Sequence, residues 1–178
     1  MHPWHDIDPG QAIPEEMTVF VEVPMGSRAK YSIDKKTGLL ELKSFLRSEE
    51  PYPFNYGFIP QTVSDDTEAL DVIILSPGPI IPWTILTVRV VGAIELWYPK
   101  KEYETKIVTV EVHDQDYDHV HEMTDLSSSL LTGMTGFFES FRSAEHSGLQ
   151  VKQILDRRRA EITVTHALRE YEKLFLAA

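Results

Sequence analysis

Four carboxylates, Asp65, Asp66, Glu68 and Asp71, crowd into a short segment directly ahead of the apolar run Val72–Leu75. Acids so close repel one another unless cations sit between them, and hard oxygen ligands suit magnesium or calcium. A rigid strand end holds such ligands better than a free loop does. The competing reading is a solvated acidic loop, the commoner use of such a segment. Just upstream, Tyr52-Pro53-Phe54-Asn55-Tyr56-Gly57-Phe58-Ile59-Pro60 sets two tyrosines and an asparagine between prolines. Alone, this stretch reads as core and turn residues. Beside the acidic loop it becomes a more specific pattern.

Other chemistries have less to stand on. His113, His119 and His121 lie near Asp114, Asp116 and Asp118. If His119-Val120-His121 is extended, two imidazoles share a face that zinc could use, although a surface role is the preferred reading. With no cysteine in the chain, disulfides, thiolate metal sites and cysteine nucleophiles are excluded. Neither a G-x-S-x-G elbow nor a Walker A loop is present. The net charge of -11 argues against nucleic acid or an anionic membrane as partner. Lys152 with Arg157, Arg158 and Arg159 reads as a solvated face or a subunit contact. The longest apolar stretch, around Val72–Val91, is broken by Pro77, Pro79 and Pro82, and no leader is recognisable. A cytoplasmic protein is expected.

The elements that must position these residues follow from periodicity. Residues 1–178 fit a single domain. Thr18–Val23 alternates as a strand. Ala29–Ile33 and Leu39–Phe45 flank the turn former Asp34-Lys35-Lys36-Thr37-Gly38 and predict a hairpin. Val72–Leu75, Thr84–Leu96 and Lys106–Val112 predict further strands. Leu126, Leu130, Leu131, Met134, Phe137, Phe138 and Phe141 recur at helical spacing, with Thr124 or Asp125 as cap. Gly133 and Gly136 weaken that helix, which therefore needs tertiary packing. A second helix is expected over Asp156–Phe175. The order of elements predicts a mainly β fold with α: a small closed barrel with two external helices.

Several of these segments resemble the bacterial type of family I soluble inorganic pyrophosphatases. They are Met1-His2-Pro3-Trp4-His5-Asp6, Val21-Glu22-Val23-Pro24, Gly26-Ser27-Arg28-Ala29-Lys30-Tyr31, the hairpin turn, and Tyr52–Pro60. The family's Asp-Gly-Asp-Pro-x-Asp signature falls on Asp66-Thr67-Glu68-Ala69-Leu70-Asp71. The resemblance implies a five-stranded barrel like the oligonucleotide-binding fold and Mg2+-dependent hydrolysis of pyrophosphate to two orthophosphates. It also implies a homo-oligomer, commonly a hexamer. Asp66, Asp71 and Glu104 carry over as metal ligands, and Glu22 as a holder of outer-shell waters. Glu68 falls on the base that helps deprotonate the attacking water. Lys30, Tyr56, Lys106 and Arg142 carry over as phosphate-binding residues, and Lys30, Tyr56 and Arg142 count with Glu68 as catalytic.

Departures from the family pattern cluster at these positions. Glu68 and Glu104 stand for aspartates, and Thr67 and Ala69 for glycine and proline. Ser32 replaces a glutamate that supports the metal's waters. Ser44 replaces an arginine that grips phosphate, and a neutral hydroxyl cannot act as a bidentate cation. Phe141 stands for tyrosine and Arg142 for lysine. The loop Leu96–Glu104 lacks one aspartate, which removes part of a third metal position. Lys100, Lys101 or Arg47 are candidates to restore the lost positive charge. The pattern leaves three expectations: a weakened pyrophosphatase, a hydrolase of another phosphoanhydride or phosphoester, or a non-catalytic phosphate-binding or scaffold subunit.

Overall fold

The structure, a computed structural model, describes residues 1–47, 49–98, 101–145 and 149–176, without the side chains of 101–102 and 141–145. Within these described residues eight strands run β1 (Glu16–Val23), β2 (Ala29–Ile33), β3 (Leu40–Phe45), β4 (Asn55–Ile59), β5 (Leu70–Leu75), β6 (Ile85–Tyr98), β7 (Lys101–Glu111) and β8 (Gln150–Leu155). Two helices, α1 (Ser128–Glu145) and α2 (Arg157–Tyr171), stand before and after β8.

Five strands close a ring in the order β1-β4-β5-β7-β6, with β6 returning to β1. Every pairing in the ring is antiparallel except β5 with β7. The first half of the long β6 faces β1, while its second half pairs with β8. A bulge near Val90–Gly92 lies between the two halves, and such bulges bend a strand. The β2–β3 hairpin forms its own small sheet. This is the expected mainly β, OB-like barrel with helices outside it.

The ring strands are apolar on both faces because each face is covered. Ile73, Leu75, Val108 and Val110 join Met134, Phe137 and Phe138 of α1 in one core cluster. Leu70, Val72, Ile74 and Ile107 join Ala160, Val164 and Ala167 of α2 in another. Gly133 and Gly136 do sit inside α1, and burial of Met134, Phe137 and Phe138 holds the helix. Asp156 caps α2, accepting from the Arg159 amide at 2.8 Å.

Several boundaries differ from the sequence reading. β4 and β8 were not expected as strands, and β7 begins at Lys101 rather than Lys106. α1 starts at Ser128 because Asp125 serves elsewhere: its carboxylate accepts from the His121 and Glu122 amides, closing a short 3-10 turn over Met123–Asp125. Leu130 N–H instead reaches the Ser127 hydroxyl. α2 ends at Tyr171 and runs on as a π-turn over Glu172–Leu176.

Gly57 shows how tightly β4 lies on β1. A Cβ there would stand 1.9 Å from the Phe20 carbonyl oxygen. Backbone cannot yield as a side-chain tip can, so Gly57→Ala should cost more than about 3 kcal/mol and displace its neighbour Tyr56. Urea unfolding of the variant beside the parent measures this.

Candidate active site

The sheet builds a cleft of about 620 Å³ where the apolar face beneath α1 gives way to polar groups. Glu104 and Lys106 stand two apart on β7 and so share a face. Val72 of β5 pairs in parallel with Ile107, which sets Asp71 beside Lys106. The Lys106 side chain is 1% exposed, and its ammonium donates to both Asp71 Oδ2 and Glu104 Oε1. It lies 5.7 Å from the centre of the Tyr56 ring. Burial, and then the charges of Asp71 and Glu104, push the Tyr56 phenol well above its ordinary value. Tyr56 therefore stays a neutral donor, hydrogen-bonded to Asp71.

Glu22 on β1 is almost fully buried at the cleft edge, accepting from the Ile33 amide at 2.8 Å and bonded to the Ser32 side chain. Burial raises its pKa from 4.5 to about 8, and the negative charge of Asp71 adds to the rise. Ser32 thus supports Glu22 through a hydrogen bond.

The loop ahead of β5 folds on itself. Asp66 Oδ1 accepts from the Ser64 hydroxyl at 2.7 Å and the Glu68 amide at 3.2 Å. Ser64 N–H donates to the Glu68 carbonyl at 2.9 Å. Thr67 sits at φ +66°, the left-handed conformation glycine adopts without cost. A β-branched residue there is strained, and the surrounding bonds impose the turn. Glu68 extends to Lys35, with Oε1 2.6 Å from the ammonium.

Acids and lysines both line the cleft. Asp66, Glu68, Asp71 and Glu104 come from the β5 loop, β5 and β7, whereas Lys30, Lys35, Lys36 and Lys43 come from the β2–β3 hairpin. The expected residues Glu22, Lys30, Tyr56, Asp66, Glu68, Asp71 and Glu104 border this cleft, and Lys106 bonds two of them from below. The side chains of Phe141, Arg142 and Lys101 lie outside the described residues, as does Lys100. The hairpin lysines 35, 36 and 43 were not expected here. No sequence periodicity marks them, because their placement depends on hairpin register. His119 and His121 lie in the turn-rich connection after β7, not on a strand, which removes the shared face zinc would need.

The acid set has the hard-oxygen chemistry of a magnesium site. Among the described residues no three metal-capable side chains converge as a ready-made cage. Two do converge, Asp71 and Glu104, and the group between them is a cation, the Lys106 ammonium. A position that already gathers two carboxylates around positive charge fits a divalent ion, with Asp66 and Glu22 on the same cleft.

Ring and cleft together define an OB-like barrel protein whose cleft can hold cations and anions side by side. The family model described as inorganic pyrophosphatase matches residues 19–172. A soluble inorganic pyrophosphatase of Zea mays is 33% identical over 98% of this chain and 81% of its own. Soluble inorganic pyrophosphatase 1 of Arabidopsis thaliana is also 33% identical, over 98% and 82%. The crystal structure of the inorganic pyrophosphatase from Thermus thermophilus superposes with a TM-score of 0.89 at 30% identity, covering 96% of this chain and 99% of that one. The chain belongs to the inorganic pyrophosphatase family.

Two outcomes follow from the buried charges. Because the Glu22 pKa is higher folded than unfolded, its stabilising share is complete below pH 4.5 and is lost as pH rises toward about 8. In EDTA, Glu22→Gln should therefore be the more stable protein by a margin that widens from pH 5 to pH 8, by up to about 1.4 kcal/mol per pH unit. Guanidinium melts across that range read it. Lys106→Met leaves Asp71 and Glu104 facing each other, and should destabilise the metal-free protein by about 3–5 kcal/mol. Saturating magnesium should return much of that loss in the same melts.

Proposed function

We propose that this protein is a magnesium-dependent inorganic pyrophosphatase that hydrolyses pyrophosphate to two orthophosphates, acting as one domain in the cytoplasm. The observation that carries the reading is the meeting of Asp71, Glu104 and Tyr56 with the buried Lys106 at a cleft lined by both acids and lysines. Family membership supports it.

Asp66, Asp71 and Glu104 would hold magnesium, and Glu22 would anchor its outer waters. Such an ion, when bound, lowers the pKa of water and neutralises phosphate charge. Glu68 receives the proton of the attacking water. Its tether to Lys35 is exposed at both ends and worth at most about 1 kcal/mol, so the carboxylate can swing to its task. Lys30, Lys106 and Arg142 offset the charge that develops on the leaving phosphate. Tyr56, locked as a neutral phenol, would turn its one O–H from Asp71 to a phosphate oxygen rather than compete for the metal. The substrate is an anion in a protein of net charge -11, so cations must enter with it or before it. A homo-oligomer, of hexameric order, is part of this proposal.

Phosphate release from pyrophosphate by purified protein tests the reading. Turnover should appear with magnesium and vanish in EDTA, and Asp71→Asn should lower kcat/KM by roughly a hundredfold or more. A folded protein that leaves magnesium pyrophosphate intact, while releasing phosphate from a nucleotide or an organic diphosphate, would replace this substrate with another.

A further inference from the structure

The mechanism leaves two cleft lysines, Lys36 and Lys43, without a task. We propose that Lys43 is a phosphate-binding residue of this site, the hairpin's substitute for the guanidinium that Ser44 cannot provide. The inference rests on the reading of the cleft as a pyrophosphate site.

The hairpin register carries it. Lys30 lies opposite Ser44, but Tyr31 lies opposite Leu42, so Lys43 is the extra residue of a β-bulge. A bulge turns its side chain away from strict alternation. The result is that Lys43 borders the cleft with Lys30, while Ser44 is not among its described lining residues. A second observation places its charge at the cleft rim. The Asp34 carboxyl is held below its ordinary range first by the Thr37 hydroxyl and amide, and Lys43 adds its positive charge to that effect. Asp34 lines the same cleft.

The ammonium is not committed elsewhere at high cost. Its partner is Glu41, at 2.5 Å, and the two side chains are 40% and 53% exposed. A pair so wet is readily exchanged for a phosphate bearing several negative charges. A lysine supplies a point charge on a flexible stem where arginine supplies a planar fork. Lys43 therefore contributes affinity for the bound phosphate with little control of its angle, and the effect belongs in KM.

The test uses Lys43→Ala, Lys43→Met and Lys43→Arg in the full chain, with Lys152→Ala as a control outside the cleft and thermal melts to establish folding. KM and kcat for magnesium pyrophosphate are measured together with calorimetric binding of inorganic phosphate to the magnesium-loaded protein. Loss of a charge-assisted contact should raise both KM and the phosphate Kd about tenfold in the alanine and methionine variants. Changes in kcat should stay within about threefold, and arginine should restore affinity. Unchanged KM and Kd in folded Lys43→Met, or a fall in kcat alone, would overturn the proposal. If the parent binds phosphate but turns over no pyrophosphate, the hydrolytic reading fails, and the phosphate titrations alone still decide the role of Lys43.

Discussion

Everything at the cleft depends on the buried Lys106 ammonium lying between Asp71 and Glu104. Neither carboxylate is well solvated, and side by side they would repel strongly in a medium of low dielectric constant. One positive charge turns that repulsion into a three-way attraction and fixes both acids in place. The arrangement is affordable only because strand register delivers it without further adjustment. Parallel pairing of Val72 with Ile107 brings Asp71 of one strand beside Lys106 of the other at one level of the barrel. Tyr56 enters from the antiparallel neighbour, opposite Ile73, and joins the same layer.

Around that fixed centre the protein tolerates substitutions that look disabling when read singly. Thr67 adopts a glycine-like conformation because Ser64 and Asp66 bond across the turn and leave it no alternative. Ser32 is too short to reach a metal's waters as a glutamate would, yet it holds the buried Glu22. In the hairpin the cation bordering the cleft beside the neutral Ser44 is the bulged Lys43.

Much of this was legible in the sequence where pattern is local. The hairpin announces itself through Asp34–Gly38, and the acidic loop through its crowding ahead of an apolar strand. The helices show through leucine and phenylalanine spacing. What stayed hidden depends on contacts between distant segments. β4 was read as turn and core because its aromatics and the flanking Pro53 and Pro60 mask alternation, and only pairing with β1 and β5 makes it a strand. β8, with three exposed residues between its ends, has no buried face to advertise. The bulge at Lys43 is a matter of register, which composition does not encode. Asp125 looked like the cap of a long helix, but closed a smaller turn instead, since either use of its carboxylate satisfies backbone amides equally well.

The closed ring also sets when the centre can exist during synthesis. β1 must wait for β6, since Glu16 pairs with Arg89, and β5 finds its parallel neighbour only after β6 has turned back as β7. Contacts so distant along the chain form late and slowly. A nascent chain that has emerged only as far as β5 carries Asp66 and Asp71 but neither Glu104 nor Lys106, so its acids remain spread in water. The acids and the lysine that gathers them therefore come together only in the completed barrel.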